Sequence, residues 1–159
     1  MKERILVLNS GGFDSVVLLH ELKKFTNTQI ETLFFNYGQR NINSEREMAK
    51  KVCKELDIEF REIELPKFSW CNENPLFNNI GSKVVNEESI KQQYIPMRNL
   101  IFLSYAISIA EEEKINDIYV AFIKTGDNPY SDTNKDFLEN LNGIANSVDV
   151  TIHAPFIEY

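Results

Sequence analysis

The feature that most constrains the fold is an abrupt change of pattern near the amino terminus. The wholly apolar run Ile5-Leu6-Val7-Leu8 gives way to Ser10-Gly11-Gly12-Phe13-Asp14-Ser15 and then to a helical repeat. A short apolar run bounded by glycines is the pattern of a strand buried on both faces. From Asp14 onward apolar residues recur at Val16, Val17, Leu19 and Leu22 until the polar pair Thr26-Asn27. A buried strand that turns into a helix at paired glycines predicts a parallel sheet with crossover helices.

The same alternation continues along the chain. Residues 30–35 are rich in β-branched and aromatic side chains and predict a second strand, with Leu33, Phe34 and Phe35 in the sheet core. Residues 44–56 predict a helix capped by Ser44, with Glu45 and Glu47 in its first turn and Met48, Val52 and Leu56 on one face. Residues 58–65 alternate as a half-buried strand should. Residues 66–93 contain Pro75, Gly81 and several asparagines and have no period. They are expected to form a long irregular excursion, which in a compact domain is more often functional than idle. A strongly apolar helix at 97–113, a strand at 117–123, a turn-rich loop at 125–131, a helix at 133–147 and a last strand at 148–153 follow. The expected architecture is one domain over residues 1–159, an α/β fold with a parallel, Rossmann-like sheet and helices on both faces, in three α/β/α layers. Its ligand should lie beyond the carboxyl ends of the strands.

Composition narrows the partners. The 43% apolar and 26% charged fractions are ordinary for a soluble domain. A net charge of −7 argues against a nucleic-acid partner, which usually selects a basic face. No apolar run approaches the roughly 20 residues of a membrane span. The opening Met1-Lys2-Glu3-Arg4 leads into too short an apolar stretch for a secretory signal, so a cytoplasmic location is expected. Cys53 and Cys71 are too few for a disulfide framework or a four-thiolate zinc site.

Three motifs carry chemistry. In the first, the glycines allow a tight turn and are expected to leave loop N–H groups uncovered. Helix-start amides and the hydroxyls of Ser10 and Ser15 would then donate to phosphate oxygens. Asp14 fits an anion site either as the helix cap or as a ligand to magnesium bound to the same phosphates. The Gly-Lys-Ser/Thr ending of a Walker loop is missing. The second motif, Asn36-Tyr37-Gly38-Gln39-Arg40, ends the second strand. The third, Tyr94-Ile95-Pro96-Met97-Arg98-Asn99, opens the apolar helix. There Arg98, Asn99 and the helix-start amides can meet polyphosphate or a developing acyl-adenylate. Plainer readings stand beside these: an ion pair for Arg98, a helix cap for Asn99, a solvated loop charge for Arg40 and a core position for Tyr37. His20 reads as a helix-face residue, whereas His153 lies at a predicted strand end near the cleft.

The first motif resembles the PP-loop of the ATP pyrophosphatases. Tyr37-Gly38-Gln39-Arg40 with a following acid at Glu45 or Glu47, then Tyr94 to Asn99, then Ile152-His153-Ala154-Pro155, narrow the resemblance to the 7-cyano-7-deazaguanine synthase family (the QueC or ExsB group). The matches run in order from residue 5 to residue 156. The resemblance implies an ATP-dependent C–N ligase of queuosine biosynthesis. Such an enzyme adenylates 7-carboxy-7-deazaguanine, forms an amide with ammonia and, with a second ATP, the nitrile preQ0. It implies catalytic roles for Asp14, Arg98 and Asn99. ATP contacts are implied at Ser10, Gly11, Gly12, Phe13, Asp14, Ser15, Phe34, Tyr37, Gln39 and Arg40, and substrate-side roles at Tyr94, Tyr130, Asp132 and His153. ATP, Mg²⁺ held through Asp14, small-molecule partners and a homodimer are implied as well. The run Leu100-Ile101-Phe102-Leu103 could serve a dimer interface but reads first as sheet-facing core.

The sequence departs from the family in places. Ala121-Phe122-Ile123 stands where the family reads Gly-Val-Asn, and Tyr130-Ser131-Asp132-Thr133 where it reads Tyr-Pro-Asp-Cys. Only Tyr130, Asp132 and the later Phe137 keep that pattern. The family continues past the His-Ala-Pro segment into helices and a four-cysteine zinc site, and these 159 residues are expected to lack that zinc-binding part. Three readings stay open: part of a full synthase, a related adenylating enzyme with another acceptor (a defence-associated one, for example), or a non-catalytic ATP-binding module. Retention of Ser10, Asp14, Ser15, Arg98 and Asn99 disfavours the last.

Overall fold

The computed structural model describes residues 3–71, 74–77, 94–123 and 130–157. The chain begins with β1 (Arg4–Leu8), α1 (Phe13–Phe25), β2 (Gln29–Asn36), α2 (Ile42–Leu56) and β3 (Glu59–Glu64). A 3₁₀ turn at Ser69–Cys71 precedes α3 (Arg98–Glu113) and β4 (Asp117–Tyr119); α4 (Lys135–Ala145), a second 3₁₀ turn at Asn146–Val148 and β5 (Thr151–His153) follow. Within the excursion expected at 66–93, residues 72, 73 and 78–93 lie outside the described residues, as do residue 124 and 125–129 of the expected turn-rich loop.

The strands pair in parallel in the order β3-β2-β1-β4-β5. The chain winds from β1 outward to β3, then returns to the other side of β1 for β4 and β5. Winding therefore reverses at β1, and the loops leaving the carboxyl ends of β1 and β4 diverge to leave a crevice.

Alternation along each strand sends its side chains to two cores. Ile5, Val7 and Ile30 pack against Leu18, Leu19 and Leu22 of α1 and Val52 and Cys53 of α2. On the other face Leu6, Leu33, Phe35, Ile118 and Ile152 pack against Phe102, Leu103, Ala106 and Ala110 of α3 and Leu141 and Ala145 of α4. The architecture is the expected three-layer α/β/α fold. Within the run at 100–103, Phe102 and Leu103 are buried, and Leu100 and Ile101 pack against the same core from partly buried positions.

Several boundaries differ from the sequence expectation for local reasons. The helix expected from Ser44 begins at Ile42, because the Ile42 N–H bonds the Gln39 carbonyl and winds the turn early. Ser44 is not the cap; its hydroxyl donates to the Asn41 carbonyl at 2.9 Å. The strand expected at 117–123 pairs with β1 only through Asp117–Tyr119, opposite Ile5–Val7, and β1 itself ends one residue later at Leu8. The helix expected at 133–147 is capped at Asn134, whose side chain accepts from the Phe137 N–H at 2.8 Å, and it tightens into 3₁₀ geometry at Asn146.

At the amino ends of the strands a charged cluster braces the sheet against α3. Glu31, 2% exposed, accepts from Arg4 at 2.6 Å and lies 3.6 Å from Arg61. Both arginines also grip Glu113, the last residue of α3, Arg4 at 2.9 Å and Arg61 at 2.6 Å. Two cations thus face two carboxylates, and the buried one lies among opposite charges, as its desolvation requires.

Candidate functional site

At the carboxyl end of the sheet lies a cleft of about 520 Å³, bounded by the loops that follow β1, β2 and β4 and by the start of α3. The phosphate-type loop forms one wall. Asn9 leaves β1 buried, its N–H bonded to the Leu33 carbonyl. Its side-chain oxygen accepts from the Gly11 N–H at 3.0 Å and from the Ser15 hydroxyl at 3.4 Å. Ser10 Oγ accepts from the Gly12 N–H at 3.2 Å, and Ser15 Oγ donates to the Gly12 carbonyl at 2.8 Å. The expectation of uncovered glycine amides is therefore not met at Gly11 and Gly12: short polar side chains two residues upstream fold back onto both. What remains for an anion is the first turn of α1, which starts at Phe13 without a side-chain cap and keeps the donors orphaned at any helix start.

Gly11 explains the shape of this loop. Its φ of +72° lies in the left-handed region, and a Cβ there would come within 2.3 Å of the Glu45 carbonyl oxygen of α2. Only glycine lets the loop lie against the next helix. Asp14 is not the helix cap, because Gly12 holds that position; the residue lines the cleft. Phe13 is 81% exposed, and neither it nor Gly11 lines the cleft.

The second wall comes from the end of β2. Phe34, Phe35, Tyr37, Gln39 and Glu45 reach the cleft. Gln39 is buried and committed: its amide donates to the Phe35 carbonyl and to Glu45, both at 3.1 Å, while its oxygen accepts from the Tyr37 N–H at 3.0 Å. With both donors engaged it shapes the turn rather than offering a free hand to a ligand. The same bond distinguishes the two candidate acids, since Glu45 faces the cleft and Glu47 is exposed. Arg40 does not line the cleft; its N–H bonds the Leu76 carbonyl at 2.7 Å.

Opposite stands the start of α3. Arg98 Nη1 donates to the Tyr37 hydroxyl at 3.1 Å, and its guanidinium lies over the Tyr37 and Phe102 rings. Arg98 Nε is buried with no hydrogen-bond partner among the described residues. Burial pushes the Tyr37 phenol above its ordinary value, with Arg98 opposing, so it keeps its proton at neutral pH. The expectation that helix-start amides here are open to polyphosphate fails at Asn99, whose N–H is taken by Asp132 at 2.9 Å. Asp132 itself is 2% exposed and is absent from the cleft wall.

Tyr130 lines the cleft and stacks on Tyr94, ring centres 5.5 Å apart, while the Tyr94 hydroxyl bonds Ser131 Oγ at 2.9 Å. Tyr94 thus buttresses the wall from behind. His153 does not reach the cleft: its Nε2 is 2.6 Å from Asp117 and its ring stacks on Tyr119 at 4.7 Å. The strand end that carries it is in place, but the side chain turns toward the amino-terminal half of β4. His20 is exposed on α1.

The cleft therefore gathers Ser10, Gly12, Asp14, Ser15, Phe34, Tyr37, Gln39, Arg98, Asn99 and Tyr130. It leaves Gly11, Phe13, Arg40, Tyr94, Asp132 and His153 behind or outside its walls. Asn9 is not singled out by the sequence, although an asparagine two residues before a glycine is a known way to tie a turn. The lining combines polar residues, Ser10, Asp14, Ser15 and Arg98, with apolar ones, Leu8, Leu33, Phe34, Val120, Ala121 and Phe122. That combination suits a ligand with a charged tail and a flat apolar body.

Among the described residues no group of three or more His, Cys, Asp or Glu side chains could hold a metal, and no helix is long and apolar enough to cross a membrane. Comparison with known proteins agrees with the geometry. The family model described as queuosine biosynthesis protein QueC matches residues 4–159. The 7-cyano-7-deazaguanine synthase of a Nitratiruptor species is 34% identical over 161 residues, covering 97% of this chain and 73% of that protein. The synthase of the same description from Methanoculleus marisnigri is 33% identical, over 99% of this chain and 74% of its own. A solved structure of the predicted subunit of a tRNA methyltransferase from Methanocaldococcus jannaschii matches with a TM-score of 0.60 at 16% identity, covering 99% of this chain and 69% of that one, a likeness of fold.

Proposed function

Because the chain belongs to the QueC family, we propose that it is a 7-cyano-7-deazaguanine synthase, converting 7-carboxy-7-deazaguanine to the nitrile with ATP and ammonia. The observation that carries this reading is the convergence, in one cleft at the winding reversal, of the α1 start, Arg98 and an apolar slot. ATP fits with its base in the slot beside Phe34 and its phosphates against Ser10, Ser15 and the first turn of α1.

The chemistry is a double activation. A carboxylate oxygen of the acceptor attacks the α-phosphorus; the bond to the bridging oxygen breaks and pyrophosphate leaves. Ammonia attacks the acyl carbon, AMP departs, a proton is lost and the amide forms. The amide oxygen then attacks the α-phosphorus of a second ATP, a second pyrophosphate leaves, and loss of AMP and protons leaves the carbon–nitrogen triple bond. These steps need positioning and charge neutralisation more than proton transfer. Arg98 supplies a guanidinium at the cleft wall, held over two rings, whose Nε has no internal partner among the described residues. The protonated Tyr37 hydroxyl holds that guanidinium in place.

Magnesium fits the donor set in one limited way. Asp14 and Glu45 both line the cleft, the latter with one carboxylate oxygen accepting from Gln39, and acidic side chains of this kind suit a cation held chiefly by substrate phosphates. When bound, magnesium would neutralise charge on the departing pyrophosphate. A cytoplasmic setting accords with this small-molecule chemistry.

The test is pyrophosphate release that requires both 7-carboxy-7-deazaguanine and ammonia. Turnover with both present supports the synthase. Tight ATP binding with no pyrophosphate released would sink it.

A further inference from the structure

Helix α3 presents the cleft with Arg98 and Asn99, yet it starts without the usual local supports. Its N-cap, Met97, is left-handed at φ 53°, makes no side-chain cap bond, and no acidic residue occupies the first turn. A helix that begins this way leaves backbone donors unpaired. The missing acceptor arrives from 33 residues away: the Asp132 carboxylate takes the Asn99 N–H at 2.9 Å. The Asp132 carbonyl also accepts from the Asn99 side chain at 3.4 Å. Asp132 is 2% exposed and does not line the cleft, so its acceptor oxygen is held at the start of α3 and away from the ligand space.

The segment carrying Asp132 is tied to the same region twice more. Ser131 bonds the Tyr94 hydroxyl at 2.9 Å, and Tyr130 stacks on Tyr94. The Tyr94 hydroxyl in turn accepts from the Met97 N–H at 3.3 Å. The two segments that close this side of the cleft, 94–99 and 130–133, are thus one cross-linked unit, and Asp132 is its only fully buried polar side chain among the described residues.

We infer that Asp132 is a positioning residue: it caps α3 from a distance and so fixes Asn99 and Arg98 at the cleft, without touching substrate. The inference rests on the synthase reading for its catalytic consequence, and on the structure alone for its geometry. The part of the side chain that matters is an acceptor oxygen, not a charge. Asp132→Asn keeps an acceptor in the same place; Asp132→Ala removes it, and Asp132→Ser shortens it.

Two readouts test this on the intact chain. Hydrogen exchange at the Asn99 amide should be protected in the wild type and in D132N. In D132A and D132S protection falls by about tenfold, the scale of a lost helix cap. Pyrophosphate release should follow: kcat falls by about tenfold or more in D132A and D132S, with the ATP KM moving much less, and D132N restores it to within about threefold. An Asn99 amide that stays protected in D132A and D132S overturns the cap. A D132N protein that keeps the Asn99 amide protected but is as inactive as D132A also overturns the inference, because the charge itself would then be acting on the ligand. If D132A does not fold, D132S and D132N carry both comparisons. A wild type that releases no pyrophosphate defeats the synthase reading while the exchange result still decides the role of Asp132.

Discussion

Arg98 and Tyr37, separated by 61 residues in the chain, meet at 3.1 Å with the guanidinium also lying over the tyrosine ring. The contact ties the end of β2 to the start of α3 across the mouth of the cleft. It fixes the plane of the guanidinium and leaves Nε without an acceptor among the described residues.

Replacing Tyr37 by Phe keeps the ring stack and removes one hydrogen bond to a charged group, a contribution of about 1.5–3 kcal/mol. Pyrophosphate release in Y37F is expected to fall by about tenfold. R98K is expected to lose on the order of a hundredfold or more, since an ammonium has neither the planar fork nor the same stacking. Steady-state rates for the two variants check this; equal losses would show that the hydroxyl, not the guanidinium plane, dominates.

Gly11→Ala and Gly12→Ala should differ sharply although the glycines are adjacent. The first puts a Cβ 2.3 Å from the Glu45 carbonyl at a left-handed φ, whereas the second meets only Ser10 Oγ at 3.2 Å. Left-handed strain alone costs about 1–3 kcal/mol, before the clash is added. Urea denaturation should show G11A losing at least about 2 kcal/mol and G12A less than half of that.

Asp14→Asn should abolish turnover and spare the fold. The side chain lies in the first turn of α1 but is not its cap, so only a dipole interaction of about 0.3–1 kcal/mol is lost. A fall of about a hundredfold or more in pyrophosphate release, with a Tm within about 4 °C of wild type, is the expected pair. Full activity in D14N would remove Asp14 from the mechanism.

Acid should loosen the brace at the foot of α3. The Arg61 hydrogen bonds, with those of Arg4, hold the Glu113 carboxyl below its ordinary value of 4.5 against the opposing pull of partial burial. A folded-state value below the unfolded one means stability that is present above about pH 4.5 and is lost as pH falls through the folded value. E113Q lacks this contribution. The difference in urea midpoint between wild type and E113Q should therefore be largest near neutral pH and shrink steadily between about pH 5 and pH 3. A gap independent of pH would disprove the linkage.

The fold was legible because its signals are local. Ile5 to Leu8, the Gly11-Gly12 break and the repeated alternation each report on a few neighbouring residues, and together they imply a parallel sheet. The positions of Ser10, Asp14, Ser15, Tyr37 and Arg98 at one cleft could be expected for the same reason: all lie next to strand or helix ends. Contacts between distant segments could not. Nothing near Asn99 indicates that its N–H is capped from Asp132, and nothing near His153 indicates that Asp117 draws its ring away. Asn9 is easily overlooked because an apolar run followed by glycines draws attention past the polar residue between them. The exposed Phe13 shows the converse, a residue inside the most informative motif whose side chain faces solvent.

The brace of Arg4, Glu31, Arg61 and Glu113 sits at one tip of α3, and Arg98 sits at the other. With its foot held from two strands, the helix acts as a lever. Its 16 residues span about 24 Å. A tilt of about 5° about that pivot would carry the guanidinium through ~2 Å, the difference between touching a phosphate oxygen and missing it, and would drag Phe102 more than ~1 Å across Phe35, so the packed middle of the helix also fixes where Arg98 stands.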